Sequence, residues 1–151
     1  MRLEGQFSVA APREQVYAFL TDPRRVGAHM PDVQEMTVED ADHFTIKARV
    51  GISHIKGTMV MKMTITDREP PIRTTVMGTG SGLASVVDMV TSFMLDAPSE
   101  RETIVNWRGE LTISGKLAAF GPQGLLDRMA RKNVDAFIAG ISSGINASMN
   151  E

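Results

Sequence analysis

The chain changes its hydrophobic period twice, from two to about three and a half and back, before a last long helical stretch. Leu3, Gly5, Phe7 and Val9 alternate with Glu4, Gln6 and Ser8, which is the pattern of a half-buried strand. The segment APREQVYAFLTD then puts Val16, Phe19 and Leu20 on one helical face, with Pro12 at its first position. Asp22-Pro23 ends that helix and begins another, Asp22 as N-cap and Pro23 next. This second helix, PRRVGAHM, closes by Pro31, and two short helices in a row predict a bent lid.

Strands follow. VQEMTVED and HFTIKARVG meet at a turn near Ala41-Asp42, and Phe44, Ile46, Ala48 and Val50 alternate with Thr45, Lys47 and Arg49. GTMVMKMTI, IRTTVMGTGSG, ASVVDMVTSFMLDA and ETIVNWRGELTIS continue the period of two, with Val87, Met89, Phe93 and Leu95 on one face of their strand. In the last of them Val105, Trp107, Leu111 and Ile113 share a face. Short connections predict an antiparallel meander. From Gly121-Pro122 to Met149 the period returns to helical, with Leu126, Met129, Val134, Phe137, Ile141 and Ile145 on one face and Arg128, Arg131, Lys132 and Asp135 on the other. A helix this long and one-sided needs a concave surface to lie on. The element order predicts an α+β helix-grip fold, a curved antiparallel sheet of seven strands around a C-terminal helix, as one domain over residues 1–151.

A curved sheet and a straight helix need not touch along their whole length, and the gap between them can be a cavity. Met59, Met61 and Met63 project together from their strand. Such a stripe either fills a core or lines a pocket, and the eleven methionines of the chain favour the adaptable use of thioethers. The cavity wall is expected from Phe44 and Ile46, from Met59, Met61 and Met63, from Met89, Phe93 and Trp107, and from Met129, Phe137 and Ile141. Met30 would join from the lid, with Val26 and His29 at the mouth and the segment Val26 to Pro31 gating access. Trp107, the single tryptophan, serves either as a core anchor or as a platform for a flat ligand head.

Other signals narrow the chemistry. A net charge of −2 gives no electrostatic reason for nucleic acid. With no cysteine, disulfides and thiolate chemistry are excluded. His29, His43 and His54 match no metal spacing, and neither metal nor cofactor is expected. MGTGSG lacks the Lys-Ser/Thr of a phosphate loop and reads as a strand bulge or close backbone approach. Gly140 and Gly144 read as places where the last helix approaches the lid or sheet closely. Arg24, Arg25, Arg128, Arg131 and Lys132 form either a solvated face or a basic rim suited to an anionic lipid surface. MRLEGQFSV lacks the apolar run of a signal peptide, and no stretch is long and apolar enough to span a bilayer. A cytoplasmic protein, with peripheral membrane contact at most, is expected.

Three segments, LEGQFSVAAPREQVYAFLTDPRRV, FTIKARVGISHIKGTMVMKMTITDREPP and GKLAAFGPQGLLDRMARKNVDAFIAGI, resemble the START-like (SRPBCC) superfamily. Within it they resemble the CoxG family, named for the CoxG subunit of carbon monoxide dehydrogenase. Pro31-Asp32 stands where family members usually have Pro-Gly, and the sequence stops at Glu151, where many continue into a tail. Membrane anchoring through such a tail is therefore not expected of it. The resemblance implies an accessory protein that binds an apolar, lipid-like or quinone-like molecule between sheet and helix. It also implies association with a molybdenum hydroxylase such as carbon monoxide dehydrogenase, as a recruitment or assembly factor. Some START-like proteins are cyclases or hydrolases, an alternative that the apolar inward faces weigh against.

Overall fold

In the computed structural model the described residues are 1–30, 32–52, 54–121 and 124–149, the side chains of 146–149 excepted. The lid's end at Pro31 and the helix start at Pro122 lie outside them.

Strand β1 (Arg2–Val9) leads into α1 (Arg13–Leu20) and α2 (Pro23–Ala28). Pro12 is the N-cap of α1 and not its first helical residue. Asp22 caps α2 by accepting from the Arg24 N–H at 3.0 Å, with Pro23 next in line. Six strands follow: β2 (Val33–Val38), β3 (His43–Ile52), β4 (Ile55–Glu69), β5 (Arg73–Gly82), β6 (Ser85–Ser99) and β7 (Glu102–Gly115). A 3₁₀ turn, Lys116–Phe120, which the sequence pattern does not announce, precedes α3 (Leu125–Met149). The strands form one antiparallel sheet in the order β1-β7-β6-β5-β4-β3-β2. Register shifts near Val33, Thr66 and Asp96 interrupt three of its ladders, and extra residues at such points bend and twist a sheet.

Register decides what the concave face carries. One row runs Ile46–Met61–Gly80–Val87–Ile113, and the next runs Phe44–Met63–Gly78–Met89–Leu111. A third runs Ile65–Val76–Thr91–Gly109–Leu3. β5 thus offers two glycines at the centre of the floor, flanked by methionines on β4.

α3 spans 25 residues, about 38 Å at 1.5 Å per residue. Its C-terminal half is seated: Ile141 and Ile145 are fully buried in a cluster with Phe19, Phe44, Leu95 and Val105. At its other end Leu126 joins Leu117, Ile52, Ile55 and Met59 in a second cluster. Between the two, Met129, Val134 and Phe137 are only half-buried.

Candidate functional site

Under that middle stretch of α3 lies a cavity of ≈ 430 Å³, within the size range of small-molecule pockets. Its floor comes from the concave face of the sheet and its roof from α3 residues including Met129, Ala130 and Phe137. Phe44 and Ile46 line it from β3, Met59, Met61 and Met63 from β4, Met89 and Phe93 from β6, and Trp107 from β7. Met30 and Val26 reach it from the α2 end.

Two of the residues placed at this site by sequence lie elsewhere. Ile141 falls on the same helical face as Phe137, but α3 has already closed on the sheet there, and Ile141 is sealed in the core. His29 does not line the cavity. Its ring stacks on Phe19 with centroids 5.5 Å apart, and it faces α3 at Gly140 and Gly144. A Cβ on Gly140 would stand 2.8 Å from the His29 carbonyl oxygen, and one on Gly144 would stand 2.5 Å from its Nε2. The two glycines are where α3 and the lid touch. The basic residues likewise divide. Arg25 lies over the Phe19 ring, beside Gly144, whereas Arg131 sits about 20 Å earlier along α3 at 1.5 Å per residue. The five cations do not form one rim.

The glycines of MGTGSG have a definite use. No bulge occurs there; β5 pairs regularly with β6 from Arg73 to Gly82. A Cβ on Gly80 would run into the Met61 sulfur, and one on Gly78 would stand 2.6 Å from that of Met63. The thioethers lie in notches left by the missing side chains. Trp107 makes a third such contact, its ring flat against Gly5 of β1, where a Cβ would meet Cζ2 at 2.8 Å. Its indole N–H is buried there without a hydrogen-bond partner.

Polar groups are few. Asp32, Arg49, Glu110, Lys132 and Asn133 border the cavity but are exposed. Glu110 is paired with Arg2 at 2.8 Å. With the Gln34 amide oxygen turned toward it, Arg49 donates at 3.2 Å from Nη2 and 3.3 Å from Nε. Among the described lining residues, Thr91 alone brings a hydroxyl to the floor of the sheet. The sequence pattern passed over it and Gly109, because a polar and a side-chain-free residue at inward positions carry no hydrophobic signal. Leu3, Phe7, Val76 and Leu117 also line the cavity and share the inward parity or burial of the residues singled out. Among the described residues, no group of three or more His, Cys, Asp or Glu is placed to hold a metal ion. No helix there is long and apolar enough to cross a membrane.

The histidines at the other turns are accounted for locally. Asp40 accepts from the His43 ring at 2.8 Å and from the backbone N–H groups of Asp42 and His43. The hydrogen bond from His43 holds the Asp40 carboxyl below its ordinary value, and the same bond raises His43. His54 meets the Phe120 ring edge-on.

Residues 5–146 match the family of the CoxG subunit of carbon monoxide dehydrogenase. The chain belongs to the CoxG family. A conserved protein from Geobacillus kaustophilus has the same fold at TM-score 0.89 and 22% identity, over 98% of this chain and 97% of that one. A START superfamily protein from Mycobacterium smegmatis superposes at TM-score 0.75 and 9% identity, over 97% of each chain. The Zhui aromatase/cyclase from a Streptomyces species superposes at TM-score 0.69 and 13% identity, over 97% of this chain and 93% of that one. These likenesses establish a helix-grip, START-like fold. No curated protein matches the chain.

Proposed function

We propose that this CoxG-family chain is a non-catalytic carrier or accessory protein that binds one apolar small molecule, lipid-like or quinone-like, between sheet and α3. The observation that carries the reading is the cavity itself, ≈ 430 Å³ with a floor of hydrocarbon and thioether side chains. Burial on such walls contributes about 0.8 kcal/mol per methylene removed from water. Six methylenes would supply about 5 kcal/mol before the costs of association. Methionines seated in glycine notches can shift to fit different occupants.

A general acid–base or nucleophilic mechanism needs a base held beside the reacting group, and among the described lining residues Thr91 has no such neighbour on the floor. This supports binding over the cyclase chemistry of the structural relative. The protein is read as cytoplasmic, with peripheral membrane contact at most.

The test is thermal unfolding with decan-1-ol or a short-tailed prenylated quinone. A ligand at a hundredfold its Kd stabilises by about 2.7 kcal/mol, or about 5–10 °C for a domain of this size. An unchanged melting temperature with both removes the reading. The family's name favours a second reading, recruitment or assembly of a molybdenum hydroxylase such as carbon monoxide dehydrogenase. Retention of such an enzyme by ligand-free protein from native extract would support it.

A further inference from the structure

The concave floor lacks a side chain at Gly5, Gly78, Gly80 and Gly109, and these positions are not equivalent: Trp107 lies across Gly5. Met63 lies across Gly78 and Met61 across Gly80. Over Gly109 nothing lies: a Cβ there would meet the Thr91 Oγ1 at 3.4 Å and the Leu3 carbonyl oxygen at 4.0 Å. Gly109 and Thr91 are direct cross-strand partners, and both line the cavity. The Thr91 hydroxyl makes no hydrogen bond to the protein among the described residues. Trp107 and Phe93, the next pair along the same two strands, stand beside the notch.

We propose that the Gly109 notch seats the head of the ligand, and that the head is flat, uncharged and carries an oxygen that hydrogen-bonds the Thr91 hydroxyl. This rests on the cavity-binding reading above and gives it a ligand class and an orientation, head on the floor and apolar remainder along the methionines. A ring can lie on bare backbone where a side chain would hold it away, and an adjacent aromatic ring gives it a face to pack on. The hydroxyl can donate or accept, so a phenol, a ketone or a quinone carbonyl all satisfy it. A carboxylate does not suit the floor. The charged residues that border the cavity are exposed, and the Arg49 guanidinium is held by Gln34. A charge brought to the notch would be desolvated without a partner.

A matched series tests it by calorimetry: para-butylphenol, butylbenzene and para-butylbenzoate at pH 8. The phenol is expected to bind tightest, with the benzoate at least about tenfold weaker. Thr91→Val should weaken the phenol about five- to tenfold, the worth of one hydrogen bond, and leave butylbenzene unchanged, while Thr91→Ser keeps phenol affinity. Gly109→Val, which fills the notch, should weaken the phenol and butylbenzene alike. Benzoate binding as tightly as phenol, or Thr91→Val weakening phenol and butylbenzene equally, overturns the proposal and leaves the cavity reading standing. Failure of all three compounds to bind defeats the cavity reading and this one with it.

Discussion

Gly78→Ala and Gly80→Ala add the same methyl group two residues apart, and the structure gives them opposite consequences. At Gly78 the new Cβ would stand 2.6 Å from the Met63 sulfur and 3.1 Å from both Met63 Cε and Met89 Cγ. Met63 also borders the cavity, but it is 3% exposed and Met89 crowds the same spot, so it has less room to yield than half-buried Met61. Overpacking of this kind costs about 1–3 kcal/mol, while exchanging glycine for alanine in a strand returns about 0.5–1 kcal/mol. The net is a loss of roughly 1–2 kcal/mol, a fall in Tm of about 2–8 °C. At Gly80 the Cβ displaces Met61, which borders the cavity and can swing into it. Stability should then change little. The displaced thioether takes the place of about two ligand methylenes, about 1.6 kcal/mol, and decan-1-ol should bind roughly fifteenfold more weakly.

Gly51→Ala is the control, since its Cβ would meet only Lys56 Cγ at 3.8 Å; it should raise Tm by about 1–3 °C. Urea unfolding and calorimetric titration read both quantities. A double-mutant cycle of Gly78→Ala with Met63→Ala should show a coupling of at least about 1 kcal/mol. If Gly78→Ala raises Tm as the control does, or the cycle is additive, the notches are incidental and the account of the floor is wrong.

Titration of His43 by NMR should give a pKa above its ordinary value, and Asp40→Asn should return it toward that value. Because His43 is raised and Asp40 lowered, the pair stabilises the β2–β3 turn between their unfolded values of 3.8 and 6.5. That stability is lost above the folded pKa of His43 and below the folded pKa of Asp40, so protection of the turn amides, measured against their intrinsic exchange rates, should be greatest in mildly acidic buffer. Tyr17→Phe removes the hydrogen bond its hydroxyl donates to the Arg73 carbonyl at 3.0 Å and should lower stability by about 1 kcal/mol in urea unfolding. Gly144→Ala pushes a methyl into the His29 ring and Phe19 Cζ; a loss of about 1–3 kcal/mol is expected, with the α2 amides exchanging faster than those of the sheet.

Whatever depends on one strand or helix taken singly was legible. Parity along β3, β4, β6 and β7 placed Phe44, Met61, Met89 and Trp107 on one face, because a period of two leaves no choice. What depends on how elements meet was not. The contact between Met61 and Gly80 is set by the β4–β5 register, which the hairpin fixes and no residue pattern announces. Phe137 and Ile141 are one turn apart and equivalent in sequence, yet one borders the cavity and the other is sealed, because the separation of helix from sheet closes between them. His29 looked like a mouth residue from its place in the lid helix. Only Gly140 and Gly144, more than a hundred residues later, show that it is a spacer against α3. The five residues KLAAF are too short to display any period, and their 3₁₀ turn went unseen.

The void has a cause in the same pairing. Sheet floors under a helix are ordinarily filled by the inward side chains of the central strands. Here the central strand β5 turns Gly78 and Gly80 inward, and long unbranched neighbours lie down into those positions instead of rising toward α3. A β-branched or γ-branched residue at Met61 could not lie so flat, since its extra methyl would stand up from the sheet into the cavity. The unbranched thioether lets one position serve two states: in the notch it leaves room for a ligand, and out of the notch it takes up part of that room. Since burial in either place removes similar apolar area from water, the two states differ by little more than a rotamer, of order 1 kcal/mol. A cavity walled this way holds space open at small cost when empty. On the proposed binding reading it would yield to occupants of different widths, as contact through hydrocarbon requires when, among the described lining residues, Thr91 alone brings a hydroxyl to the floor.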